Sequence, residues 1–220
     1  MKKIFCILLS VLFVQSIQAQ MDEKFYHPDK EWLDINFLNY HEIILNADND
    51  TIYSVIITPD TFPKASILYF HGNSGNISKC INFIRPLVND GYQVCTLEYR
   101  GYGKSSRKPT HLNIANDAQS LLDTLLKRED IALLTTPTEY HEQVKQFVIS
   151  PYSAKDDIRE IKNIKTLFIH SNEDVIPIEG AKEVYSNSPC TKMFWIYEGK
   201  HIEASIKYPE TFVEYINKLL

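Results

Sequence analysis

Several things are scarce in this chain of 220 residues. Lysine and arginine total 23 against 28 acids, a formal charge of −5 at pH 7. No basic cluster offsets that balance, so a nucleic-acid partner is not expected. Glycine is rare, with 7 residues, which excludes a collagen-like repeat. There is no internal repeat, low-complexity tract or linker. No apolar run reaches the ~20 residues a membrane-spanning helix needs. No histidine and cysteine group has metal-ligand spacing, so neither a metal nor a cofactor is expected. What remains is 44% hydrophobic, enough for one globular domain over residues 20–220 with a sizeable core.

The first residues read as an address rather than as fold. Lys2 and Lys3 precede an apolar stretch, Ile4 to Val14, broken only by Cys6 and Ser10. Ser16, Ile17, Gln18 and Ala19 then close on a small residue. This is a secretory signal pattern over residues 1–19, with cleavage expected after Ala19. The expected location is periplasmic or extracellular, with no stable membrane anchor after cleavage. Cleavage removes two lysines and no acids, so −5 becomes −7. Three cysteines remain, Cys80, Cys95 and Cys190, an odd number that implies a free thiol. Cys95 sits in an apolar strand pattern as a small buried hydrophobe. A Cys80–Cys190 bridge is open in an oxidising compartment.

Along the mature chain, Glu23 to Asn39 reads as an arm laid over the body. His41 to Leu45 and Thr51 to Thr58 read as a β-hairpin around the turn-formers Asn46 to Asp50. Ile67 to Phe70 is a short apolar run ending in His71-Gly72-Asn73-Ser74-Gly75. It reads as a strand buried on both faces, with a glycine turn at its carboxyl end. A helix is expected after Asn76, with Ile77, Ile81, Ile84, Leu87 and Val88 on one side and a stop at Asp90-Gly91. Pro86 is a local fault in it. Tyr92 to Tyr99 is the next strand, closed by Arg100-Gly101-Tyr102-Gly103. Strand, helix, strand makes a parallel βαβ unit.

Pro109 to Arg128 reads as a helix whose inner face is Leu112, Ala115, Ala118, Leu122 and Leu125. Thr136 to Glu139 looks like a capping box opening a helix with Tyr140, Val144, Phe147 and Val148 on its apolar side. Lys165 to His170 is a buried strand, Pro177 to Tyr185 starts a helix, and Thr191 to Tyr197 is another strand. Pro209 to Leu220 is a final helix with Phe212, Ile216, Leu219 and Leu220 inward.

Two strand ends carry an acid and then a histidine. Asp174 follows the Lys165 strand and His201 follows the Thr191 strand. A carboxylate in that position can fix the tautomer of an imidazole and stabilise it once protonated. With HGNSGN at 71–76, EYRGYGKSS at 98–106, LFIHSNEDVIP at 167–177 and YEGKH at 197–201, the chain resembles the α/β-hydrolase superfamily, nearest its small lid-poor bacterial esterases and peptidase-like members. The resemblance implies an α/β fold with a mostly parallel sheet, helices on both faces and an N-terminal hairpin. It implies hydrolysis of small ester or amide substrates. It assigns Asp174 as the acid and His201 as the general base. It assigns the Asn73 N–H to the oxyanion, with Gly72 and Gly75 shaping the loop.

One part of that family's pattern is missing. No G-x-S-x-G nucleophile elbow occurs, nor a cysteine or aspartate version of it. The fold expected is therefore a shortened one, lacking an internal segment between Asp130 and Ile131. Without an activated nucleophile acyl transfer has no attacking group. Ser74, Ser105, Ser106, Ser150 and Ser153 read as loop serines. His71 reads as a loop-ordering residue and Glu98 as a local partner of Arg100. His27, His41, His111, His141 and His170 read as structural. Loss of the middle strands would leave the Ala65 strand facing the Lys165 strand, or each with an unpaired edge, and edges invite strand exchange between chains. The rival reading is a non-catalytic binding or assembly module on a degenerate hydrolase scaffold, or a nonfunctional deletion product.

Overall fold

The structure is a computed structural model, and it describes residues 22, 24–47, 50–128, 131, 158–159, 162 and 164–219. The expected signal segment, the Asn46–Asp50 turn tip and the Tyr140–Val148 helix lie wholly or partly outside these residues. In chain order the elements are β1 (His27–Pro28), β2 (Tyr40–Ala47), β3 (Asp50–Ile57), β4 (Ser66–Phe70), β5 (Ser74–Gly75), α1 (Ile77–Asn89), β6 (Gln93–Leu97) and α2 (His111–Leu125). Then come β7 (Lys165–Ser171), α3 (Ile178–Asn187), β8 (Thr191–Tyr197), α4 (Ala204–Lys207) and α5 (Pro209–Asn217). This is an α/β chain whose sheets order as β2-β3-β6-β4, β7-β8 and the small β1-β5 pair.

The described residues group into two compact units. One draws on Met1–Ile56, Leu68–Cys80 and Cys95–Lys127, the other on Ile57–Ile67, Ile81–Val94 and Arg128–Leu220. In the first, Ile52, Val55, Ile56, Leu97, Leu121 and Leu125 are buried together with Tyr99 and Tyr102. Two buried hydroxyls among them are satisfied locally. Ser54 donates to the Thr96 carbonyl, and Thr96 donates to that of Val55 at 3.1 Å. Such pairing is what buried hydroxyls require. In the second, Trp195, Tyr197 and Ala204 form a core against which Leu167, Ile169, Tyr208, Phe212 and Tyr215 pack.

The strand patterns divide by position in the sheet. All of β6 is buried, as its apolar run predicts. The Ile67 to Phe70 strand is not buried on both faces. Every residue from Ser66 to Tyr69 is half-buried and Phe70 is exposed. The reason is its place: β4 ends its sheet, so among the described residues it has a neighbour on one side only. Likewise β7 is half-buried over most of its length and, among the described residues, pairs only with β8.

Helix boundaries follow their caps. Asn76 accepts the Lys79 N–H at 3.3 Å at the head of α1. Gly91, at φ +91°, follows its end. Thr110 heads α2 in a reciprocal capping box with Asn113. The inner face of α2 differs from the periodicity prediction. Leu112 is 65% exposed, and the buried residues are Asp117, Leu121 and Leu125. Asp117 turns inward because the buried Arg100 takes it in two bonds, at 2.9 and 2.8 Å. The fork, rather than the apolar period, decides which residue of the helix turns inward. Cys80, Cys95 and Cys190 are buried. The Cys80 thiol is pushed up to about 11 by burial and the nearby Glu98 charge.

Candidate active site

Strand register builds the acid–base pair. β7 and β8 run parallel from Lys165 beside Thr191 to Ser171 beside Tyr197. Their carboxyl ends therefore finish side by side. Asp174 stands three residues beyond one end and His201 four beyond the other. Cross-links hold the two loops together. The Asn172 N–H donates to the Tyr197 carbonyl at 2.9 Å. Ser171 donates to the Gly199 carbonyl, and the Gly199 N–H reaches the Asn172 amide oxygen at 3.3 Å. Tyr197 donates to the Lys200 carbonyl at 2.6 Å. Gly199 sits at φ +145°, a conformation side chains rarely adopt, and it turns the chain towards His201.

The result is a hydrogen bond of 2.8 Å between His201 Nδ1 and Asp174 Oδ2. The Asp174 side chain is 5% exposed and that of His201 is 47% exposed. The other carboxylate oxygen accepts the Ile176 N–H at 2.9 Å. Burial acts to raise the pKa of Asp174. The hydrogen bonds from His201 and Ile176 outweigh it and leave the carboxyl below its ordinary value. A carboxylate can only accept, so Nδ1 carries the proton and Nε2 presents a lone pair. That is the tautomer a general base needs. Among the described residues no hydroxyl or thiol bonds Nε2.

The site holds two features that sequence reasoning missed. His170 Nε2 stands 4.0 Å from the same Asp174 oxygen, and its side chain is 10% exposed. His170, near the end of β7 as the sequence implied, thus stands beside Asp174 as a second imidazole. Its signal was only its spacing, four residues ahead of Asp174. Ile202 follows the base at φ +55°, a β-branched residue in the left-handed region, and is 59% exposed.

In the other unit, the loop after β4 is pinned from several sides. The arm residue His27 donates its N–H to the Asn73 carbonyl at 2.8 Å. Tyr102 donates to the same carbonyl at 2.6 Å, and Tyr99 donates to that of His71 at 2.7 Å. The Asn73 amide side chain reaches the Phe25 carbonyl at 2.7 Å. Gly75 requires glycine at φ +79°. At Gly72 a Cβ would meet nothing within 4 Å, so the backbone there is open. His71 lies beneath, buried, with Nδ1 2.8 Å from the Gly72 carbonyl. Glu98 does not pair with Arg100 as the sequence suggested. It faces His71, because Arg100 is claimed by Asp117 and by Asp50 at 2.8 Å.

The described serines are occupied elsewhere or lie in the loop. Ser105 is buried, donates to the Glu98 carbonyl at 2.7 Å and accepts the Tyr53 N–H at 2.8 Å. Ser106 bonds Thr51 on both sides. Ser74 pairs with the arm in the β1–β5 ladder. Ser150, Ser153 and the junction at Asp130 fall outside the described residues.

An α/β sheet with a histidine–carboxylate pair at parallel strand ends is the plan of the α/β hydrolases. The sequence profile of the alpha/beta hydrolase fold family matches residues 65–134. Protein YfhR of Salmonella typhi is 22% identical, over 92% of this chain and 88% of its own length. Protein bem46 of Schizosaccharomyces pombe is 28% identical, over 64% of this chain and 48% of its own. The Pyrococcus furiosus esterase Pf2001 superposes with a TM-score of 0.59 at 16% identity, covering 90% of this chain and 97% of the esterase. The chain has the α/β-hydrolase fold. Its alignment with YfhR runs over 259 positions, more than the 220 residues here, so that relative carries residues with no counterpart in this chain.

Proposed function

We infer that this is an exported hydrolase of the serine-hydrolase type, built for small ester or amide substrates, in a shortened copy of the fold. The observation that carries the reading is the 2.8 Å bond between His201 Nδ1 and the buried Asp174 carboxylate. His201 Nε2 would take the proton of the attacking group, and Asp174 would stabilise the imidazolium so formed. Asn73 would offer its N–H to the developing oxyanion, a contribution on the order of 3 kcal/mol to the barrier. The signal-like residues 1–19 support export.

A second reading is favoured by one observation, the absence of G-x-S-x-G in a chain shorter than its YfhR alignment. On that reading the scaffold binds without turnover. A fluorophosphonate probe on the mature protein separates the two. Stoichiometric labelling that disappears in His201→Ala supports the hydrolase. No labelling, together with a ligand-dependent rise in melting temperature, supports the binding module.

A further inference from the structure

Two buried polar atoms lack a hydrogen-bond partner and point at one another: His71 Nε2 and Glu98 Oε1, 3.2 Å apart on side chains that are 0% exposed. Orphans of this kind demand an explanation. The other ring nitrogen, Nδ1, lies 2.8 Å from the Gly72 carbonyl. A carbonyl only accepts, so Nδ1 carries a hydrogen. In a neutral ring Nε2 would then be a lone pair facing a carboxylate oxygen, out of water. One more proton between the two atoms removes the conflict.

We propose that His71 and Glu98 share that proton as a net-neutral pair, and that the pair positions the 71–76 loop and its Asn73 N–H. The surroundings favour the charge-separated form, imidazolium with carboxylate. Glu98 Oε2 accepts the Ile77 N–H at 3.0 Å, the first residue of α1, where the helix end favours an anion. The His71 ring lies tilted over that of Tyr99 at 4.2 Å, a π-face that favours a cation. Among the described residues no other cation pairs with Glu98. Arg100 is engaged by Asp117 and Asp50, and Lys104 by Glu42. The remaining titratable neighbours are Cys80, Tyr53, Tyr99 and Tyr102, all held neutral by burial.

The proton thus joins three elements that meet at the loop: the end of β4, the head of α1 and the residue after β6. Removing it leaves a desolvated carboxylate with no counter-charge, which the fold cannot keep in place. The Asn73 carbonyl, held by His27 and Tyr102, is where the release would be felt. The catalytic use of Asn73 rests on the hydrolase reading; the shared proton does not.

The test is nuclear magnetic resonance of the full chain labelled with nitrogen-15 and carbon-13. At neutral pH the His71 ring is expected to be doubly protonated beside an ionised Glu98. A protonated Glu98 carboxyl with a singly protonated ring would also support the shared proton. A neutral ring beside an ionised carboxylate overturns it. The isosteric Glu98→Gln keeps the packing and removes the charge. It should strip the second proton from His71 and speed hydrogen exchange of the His27 amide by roughly tenfold. An unchanged His71 spectrum in that variant, or unchanged exchange, overturns the proposal. Should Glu98→Gln fail to fold, the wild-type spectrum alone decides. A shared proton in a protein that hydrolyses nothing would sink the hydrolase reading and leave this one standing.

Discussion

Replacing Asp117 by asparagine tests the polar core of the first unit. Asp117 holds Arg100 through two bonds, Nε at 2.9 Å and Nη2 at 2.8 Å. The two side chains are 0% and 6% exposed, so the pair is out of water. Breaking a buried pair by removing one partner costs about 3–5 kcal/mol, because the survivor is left uncompensated. Arg100 still meets Asp50 at 2.8 Å through Nη1, which places the expected loss at the low end, about 3 kcal/mol. For a chain of this size each kcal/mol moves the melting temperature by about 2–4 °C, giving a fall of about 6–12 °C. Urea unfolding at an unchanged m value would measure the same loss as a shift in midpoint. The double variant Arg100→Met with Asp117→Leu removes both charges and should recover more than half of the loss. Asp50 then keeps Arg107, which bonds its other oxygen from the surface. A loss below about 1 kcal/mol in Asp117→Asn would be the behaviour of a solvated pair and would refute the reasoning.

Two further outcomes are expected in the second unit. Because Asp174 is held below its ordinary value of 3.8, its contribution to stability is present above that pH and is lost as pH falls through the lowered folded value. The melting-temperature gap between wild type and Asp174→Asn should therefore be largest near neutrality and close below about pH 4; a gap constant with pH would contradict this. Ile202→Gly relieves a β-branched residue at φ +55° that makes little burial, and should raise stability by about 1 kcal/mol in thermal unfolding. A loss of stability there would mean that the Ile202 side chain packs more than its exposure indicates.

Much of the fold was readable because apolar runs end in glycine or in turn-formers. The strand Thr191–Tyr197 is found where the run predicts, and the α1 helix lies between its Asn76 cap and Gly91. That Asp174 and His201 lie close to strand ends was readable for the same reason, since each comes just past a run. What periodicity could not supply was anything decided at long range. The inner face of α2 is set by Arg100, which no helical wheel includes. The exposure of β4 is set by its place at the end of a sheet rather than by its own composition. Glu98 chose His71 over the nearer Arg100 because two other carboxylates had already claimed the guanidinium. His170 was passed over because a strand residue was not weighed as a partner for an acid beyond the strand's end.

The Asp174–His201 bond is hard to explain by stability alone. A hydrogen-bonded pair whose imidazole is 47% exposed belongs to the class worth about 0–1 kcal/mol. The loops that carry it are already tied without it, by Asn172 to Tyr197, by Ser171 to Gly199 and by Tyr197 to Lys200. The residue next to the base adds strain rather than support, since Ile202 at φ +55° costs roughly 1–2 kcal/mol. A local arrangement that contributes little and costs about as much is not what folding alone would select. Strain of this kind gathers at sites where geometry matters more than stability. The arrangement therefore weighs towards chemistry at His201, whatever group it activates, and against a scaffold in which the pair is only a remnant.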